Sequence, residues 1–368
     1  MRELKRRHLA ELAAYTETLY KQPRLKHLFL ELRLCCNAHC FHCGSNCEAE
    51  GDELLTPADY RRLLEEVRAD FGTKGLMLCI TGGEPLLRRD FFEIMGCARD
   101  LGFSWGMTTN ATRIDRETAK KLAETGMKTV SVSIDGLPET HDRLRGMPGG
   151  YERAMRGVQN LIDENAFQAV QITTVFNHEN IREIDALFDV MRGIEIDSWR
   201  VAALEPIGRA LTRPDLMLTP EDVRLLMDFV REKRREGSPV EYGCSHYLGL
   251  DYEAEVRDWY WLCNAGVYTA SVMANGDIGA CLDIERRRET VFGNVLTDRF
   301  SDVWRNGFGI FRQNMGLKNA TCRACPELAF CRGGAAHSRN YDTNEPRVCY
   351  RGILFETEGS VSEAIRKE

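Results

Sequence analysis

The stretch "ELRLCCNAHCFHCGSNC", residues 31–47, holds five cysteines and two histidines directly after an apolar run. Within it Cys36, Cys40 and Cys43 form a C-x3-C-x2-C pattern. Thiols this crowded in a reduced chain bind metal. Three thiolates on one loop with no fourth in register suit an iron–sulfur cluster that keeps one iron open to another ligand. Zinc wants four closed ligands, and Cys35, Cys47, His39 or His42 could complete that set. Spacing alone leaves both readings standing. A second group lies far downstream: Cys263 and Cys281, then Cys322, Cys325 and Cys331, then Cys349. Cys244, in "EYGCSHYLG", stands between the two groups.

The chain around these cysteines is that of an ordinary globular protein, with 368 residues, 43% hydrophobic and 29% charged. A formal charge of −7 argues against a nucleic-acid partner, which needs a concentrated basic surface. No apolar run is long enough to span a bilayer, and the charged start "MRELKRRHLAELAAYTETLY" lacks the apolar core of a signal peptide. A cytoplasmic location follows, where 14 cysteines serve metal sites better than disulfides.

The elements that must position the first cluster loop alternate in type. "HLFLELRL", "GLMLCI", "SWGMTTN", "TVSVSID", "AVQITTVF" and "IDSWRVAAL" read as strands. Helices are expected from Thr56–Pro57 through "ADYRRLLEEVRAD", over "DFFEIMGCARDLG", and near 115–125, 151–165 and 180–192. Repeated strand–helix units imply parallel strands, in a barrel or an open α/β sheet. The rhythm changes near Pro214. The expected division is an N-terminal helix (1–27), a core (28–215), a bridging helix (216–239), a smaller irregular cysteine-bearing region (240–352) and a tail (353–368).

The cluster spacing resembles the signature of radical S-adenosylmethionine (SAM) enzymes, and other motifs agree in order. "TGGEP" (81–85) ends the second strand, where Gly82 and Gly83 permit close backbone approach, Glu84 offers an anionic acceptor and Pro85 follows. "TTN" brings Asn110 to a strand end, "SVSID" sets Ser133 and Asp135 two residues apart on one strand face, and "HDRLRG" supplies Arg145. The resemblance implies an α/β fold with a partial (β/α)6 barrel. It also implies a 4Fe–4S cluster on Cys36, Cys40 and Cys43 whose open iron binds SAM. Glu84 is then the acceptor for the SAM amino group, Ser133 and Asp135 the ribose contacts and Arg145 the carboxylate partner. The implied reaction is one-electron cleavage of SAM to a 5′-deoxyadenosyl radical that abstracts a substrate hydrogen, with a flavodoxin- or ferredoxin-type electron donor.

The C-terminal cysteines, with "NGDIGAC", "FGNV", "DVW" and "CRGG", resemble the SPASM extension of these enzymes, which houses auxiliary clusters. The resemblance assigns one such 4Fe–4S cluster to Cys322, Cys325, Cys331 and Cys349. A second would use Cys263 and Cys281, but another family cysteine is replaced here by Ala335. One auxiliary cluster is therefore expected, with Cys263 and Cys281 an incomplete second site and Cys244 a candidate hydrogen donor to a substrate radical. The main expectation for the substrate is a peptide that is crosslinked or epimerised. Fewer than 30 residues precede the first strand, so either a separate leader-recognition protein serves it or the substrate is not a leader-directed peptide. The alternative is a small molecule such as a tetrapyrrole or sugar. A non-catalytic cysteine-rich metal-binding or redox-sensing protein is the reading from another class.

Overall fold

A computed structural model describes residues 2–48, 54–243 and 246–355. The chain opens with helix α1 (Arg2–Lys21) and strand β1 (His27–Glu31). Strands and helices then alternate: α2 (Pro57–Phe71), β2 (Met77–Thr81), α3 (Phe91–Asp100), β3 (Ser104–Thr109), α4 (Arg116–Glu124) and β4 (Met127–Ser133). Two helices, α5 (Pro138–Arg145) and α6 (Gly150–Glu164), precede β5 (Ala169–Phe176), followed by α7 (Ile184–Arg192), β6 (Ser198–Ala203), α8 (Pro220–Arg235) and β7 (Val240–Tyr242). The sequence signals for these elements are physical ones. Thr56 and Thr219 each close a capping box with an aspartate three residues on, and a proline occupies the first turn.

The C-terminal region adds β8 (Thr269–Val272), β9 (Ile278–Gly279) and helices α9 (Phe300–Asn306), α10 (Ala320–Ala324), α11 (Leu328–Cys331) and α12 (Tyr350–Phe355). All nine strands belong to one sheet, in the order β7-β6-β5-β4-β3-β2-β1-β8-β9. Every pairing is parallel except β8 with β9. The six expected strands are thus the centre of the sheet, and β8 docks beside β1 from the cysteine-bearing region.

Alternation along the strands separates two faces. Leu28, Leu30, Leu78, Ile80, Trp105, Met107, Val130, Val132 and Ile172 share one core with Leu64, Met95, Leu122, Val158 and Leu187 of the helices. The residues between them, among them Cys79, Thr129, Ser131, Ser133 and Thr173, are only half-buried and line the opposite face. Helices on one face alone suit a barrel wall rather than a doubly wound sheet, which is covered on both.

Some local expectations change. Residues 180–192 are not one helix: a 3₁₀ turn over Ile181–Glu183 precedes α7. Asp135 lies beyond the end of β4 rather than within the strand. Cys79, read as a core residue, faces away from the helix-packed side and is half-buried.

Candidate active site at the strand ends

The loop from residue 32 to 48 follows β1, is closed on itself and is fixed from three further sides. On its own strand side, Cys36 N–H donates to the Glu48 carbonyl at 2.8 Å. From α5, the carbonyls of Arg145 and Leu144 accept from His39 and Phe41 at 2.9 Å each. Beyond β6, the Arg209 backbone N–H meets the Cys43 carbonyl at 3.0 Å, while its guanidinium donates to the carbonyls of Cys40 (2.8 Å) and Cys47 (2.6 Å). Gly208 has φ +53°, and a side chain there would strike the Cys43 carbonyl. On the β2 side, Gly83 donates to Arg33 O at 2.7 Å and Glu84 N–H to Cys35 O at 3.1 Å. A Cβ at Gly83 would collide with that Cys35 carbonyl, so the "TGGEP" turn can lie against the cluster loop only because it is bare.

Burial pushes the Cys36 thiol up to about 11 and raises Cys40, which Arg145 partly offsets. Cys43 is instead lowered, chiefly because Cys47 donates its S–H to it, and the same contact keeps Cys47 protonated. Cys47 is buried and also lies 3.6 Å from the Gly82 carbonyl. Among the described residues no three cysteine sulfurs lie within 4.8 Å of one another. Four thiolates around one zinc, at about 2.3 Å each, would sit closer, at about 3.8 Å.

Two polar networks flank this loop. Glu84 is fully buried; its oxygens accept from the Thr109 hydroxyl at 2.8 and 2.9 Å and from Asn110 N–H at 2.9 Å. Burial raises its carboxyl above the ordinary range, against the pull of those donors. The Asn110 side-chain amide reaches Asn37 Oδ1 at 2.8 Å, next to Cys36. In the second network Asp135, fully buried, accepts from Arg145 Nε at 2.8 Å and Nη2 at 2.6 Å, from His42 Nε2 at 3.0 Å and from Val175 N–H at 2.9 Å. Burial by itself would raise the Asp135 carboxyl; Arg145, then His42, overcome it and hold it well below the usual range. Asp135 and Arg145 are therefore committed to each other, while Ser133 remains half-buried on the inner face. Pro85 starts a 3₁₀ turn capped by the Glu84 side chain.

Among the C-terminal cysteines, burial raises the thiols of Cys322 and Cys331, and Cys349 adds to both shifts. Cys263 accepts from Ala336 N–H at 3.5 Å, and Cys281 lies 3.9 Å from an Asp283 oxygen. The half-buried Tyr341 donates its hydroxyl to the Ala336 carbonyl at 2.8 Å, and burial raises its phenol, with Cys263 and then Cys281 adding to the shift. Ala335 packs in an apolar cluster with Leu9, Tyr247, Leu250, Tyr260 and Trp261. Cys244 lies outside the described residues. Sequence reasoning missed Thr109, Asn37 and Arg209 and considered His42 only as a zinc ligand; of these only Thr109, in "TTN", belongs to one of the cosubstrate motifs.

Residues 32–191 match the model of the radical SAM superfamily, and 263–326 that of SPASM, an iron–sulfur cluster-binding domain. An Fe-coproporphyrin III synthase of Methanosarcina barkeri is 31% identical over 81% of this chain and 80% of its own. An AdoMet-dependent heme synthase of the same organism is 29% identical over 89% and 97%. The mycofactocin maturase MftC of Mycolicibacterium smegmatis is 30% identical over 83% and 76%. Streptococcus suis SuiB bound to precursor peptide SuiA has the same fold, with a TM-score of 0.68 at 20% identity over 90% of this chain and 76% of SuiB. No helix among the described residues is long and apolar enough to cross a membrane.

Proposed function

Because the chain belongs to the radical SAM superfamily and carries a C-terminal SPASM iron–sulfur domain, we propose that it abstracts hydrogen from a side chain of an iron tetrapyrrole. The carrying observation is the similarity to the two Methanosarcina barkeri proteins, both named for tetrapyrrole products and matched over most of their length. This replaces the peptide as first reading. The peptide-bound SuiB is under 25% identical, so its likeness speaks for the fold alone. Arg200, exposed on the inner face of β6, partly offsets the burial that raises the Cys79 thiol, and it offers a cation to a carboxylate-bearing substrate. The MftC match keeps a peptide substrate as the second reading.

In this reading Cys36, Cys40 and Cys43 hold the SAM cluster, and Cys322, Cys325, Cys331 and Cys349 one auxiliary cluster. The chemistry gained on loading is one-electron reductive cleavage of SAM to a hydrogen-abstracting 5′-deoxyadenosyl group. The protein's own residues orient it. Glu84 is the buried anion for the SAM ammonium, backed by Thr109 and Asn110. Ser133 is free to meet a ribose hydroxyl. Asp135 acts through Arg145, holding that guanidinium beside the cluster loop, where the SAM carboxylate is bound. Gly82, Gly83 and Pro85 shape the turn beneath Glu84. Ala335, packed in an apolar cluster where the resemblance expects a further thiolate, supports one auxiliary cluster.

The test incubates the anaerobic, cluster-loaded enzyme with SAM, dithionite and either an iron coproporphyrin or a synthetic peptide. Tetrapyrrole deuterated on its side chains should pass deuterium into 5′-deoxyadenosine in step with a change in tetrapyrrole mass. Turnover of SAM with no deuterium transfer and no new tetrapyrrole product refutes the substrate while leaving the SAM chemistry intact.

A further inference from the structure

We propose that Glu205, His246 and His337 form a mononuclear site for a divalent transition-metal ion, separate from the cysteine-held clusters. The three come from distant parts of the chain. Glu205 follows β6, His246 follows β7, and His337 lies in the segment between Cys331 and Cys349. Each offers one ligand atom, and these atoms all lie within 4.8 Å of one another. Glu205 and His246 are buried and His337 is half-buried.

Two observations point past an ordinary hydrogen-bonded pair. His246 Nε2 lies 3.0 Å from Glu205 Oε2, and one shared proton accounts for that contact. It does not account for Glu205 Oε1, which is buried without a hydrogen-bond partner. The Ser338 hydroxyl, also buried, lies close but outside hydrogen-bonding geometry. A desolvated carboxylate oxygen with no donor is costly, by about 1–3 kcal/mol or more. A cation among the three groups supplies the missing partner. Geometry allows it as well: two ligands at about 2.1 Å from one ion and at right angles lie about 3.0 Å apart. The Glu205–His246 edge already has that length. The Tyr350 ring, 5.0 Å from that of His246, helps hold the imidazole in place.

The donor set defines the ion. Two imidazoles and one carboxylate favour Zn²⁺ or Fe²⁺ over Mg²⁺ or Ca²⁺, which take oxygen ligands. Three protein ligands leave positions open for water or another ligand. The site occupies the seam between the ends of β6 and β7 and the cysteine-bearing region. Arg209, four residues after Glu205, contacts the loop of Cys40 and Cys43, while Tyr350 follows Cys349 directly.

The experiment uses the full, cluster-loaded chain under anaerobic conditions. After a brief chelator wash that leaves cluster iron constant, Zn²⁺ and Fe²⁺ are added separately. Bound metal is counted by mass spectrometry after desalting. Wild type should take up one equivalent of at least one ion beyond its cluster iron. Glu205→Gln keeps the side-chain shape and His337→Ala alters the least buried ligand; each should lose that equivalent, with affinity down at least about tenfold. Unchanged cluster absorption in the variants shows that they remain folded. The stronger ion identifies the occupant. Wild type binding neither ion, or variants binding as wild type does, overturns the proposal.

Discussion

Replacing Asp135 by asparagine removes the charge from the most enclosed ion pair beside the cluster loop. Its oxygens serve Arg145, His42 and the Val175 amide, and its side chain is fully buried, with that of Arg145 only 10% exposed. The substituted amide could still accept from Val175, but the Arg145 guanidinium would be left buried without its anion. Removing one partner of such a pair costs about 3–5 kcal/mol. With an unfolding entropy of about 2.1 cal/mol/K per residue over 368 residues, that lowers the melting temperature by about 4–6 °C. Differential scanning calorimetry of the cluster-loaded protein measures it. The pH dependence follows from the depressed folded-state pKa. The carboxylate's contribution is complete above the unfolded value of about 3.9 and declines as pH falls toward the folded one. The gap between wild type and Asp135→Asn should therefore stay constant from about pH 5 to 8 and narrow only below about pH 4. An unchanged melting temperature would refute the buried-pair argument. A gap that closes between about pH 5 and 8 would contradict a contribution governed by the Arg145 pair.

Four further outcomes are expected. The triple change of Cys36, Cys40 and Cys43 to Ala should abolish 5′-deoxyadenosine release and lower cluster iron from about eight to about four per chain, counted after a chelator wash; about twelve in wild type would refute a single auxiliary cluster. Gly208→Ala should loosen the cluster loop, because its φ of +53° and the adjacent Cys43 carbonyl leave no room for a Cβ; a faster loss of the cluster's visible absorption in chelator would show it. Glu84→Gln should weaken SAM binding at least about tenfold by calorimetry, as expected for a charge-assisted contact. In wild type the raised Glu84 carboxyl should make SAM affinity fall on acidification while pH is still above the usual carboxylate value of about 4.3; flat affinity down to that value would contradict it.

Much of the architecture was readable because periodicity and capping are local. The alternation in "AVQITTVF" gives β5, and Thr219–Pro220 with Asp222 gives the start of α8. What local signals could not supply is the order of the sheet. β8 sits beside β1 across more than 200 residues, and nothing in "TASV" names its neighbour. The half-burial of Cys79 escaped notice for the same reason, since an apolar strand does not say which of its faces meets helices. Asp135 shows the limit for a motif: "SVSID" marked the residue, but its commitment to Arg145 and His42 depends on where α5 and the cluster loop pack.

By itself the sequence determined the identity of the chemistry. The order of several short motifs, rather than any one spacing, carried that reading, and the motifs of Cys36, Cys40, Cys43 and Glu84 are close-range features of that kind. Only the tertiary structure decided which groups meet across long separations. It set Arg209 on the cluster loop, the Ala336 amide on Cys263, and Glu205 against His246 and His337. Burial and charge at each of these places depend on packing between segments far apart in the chain, and that is information no local pattern carries.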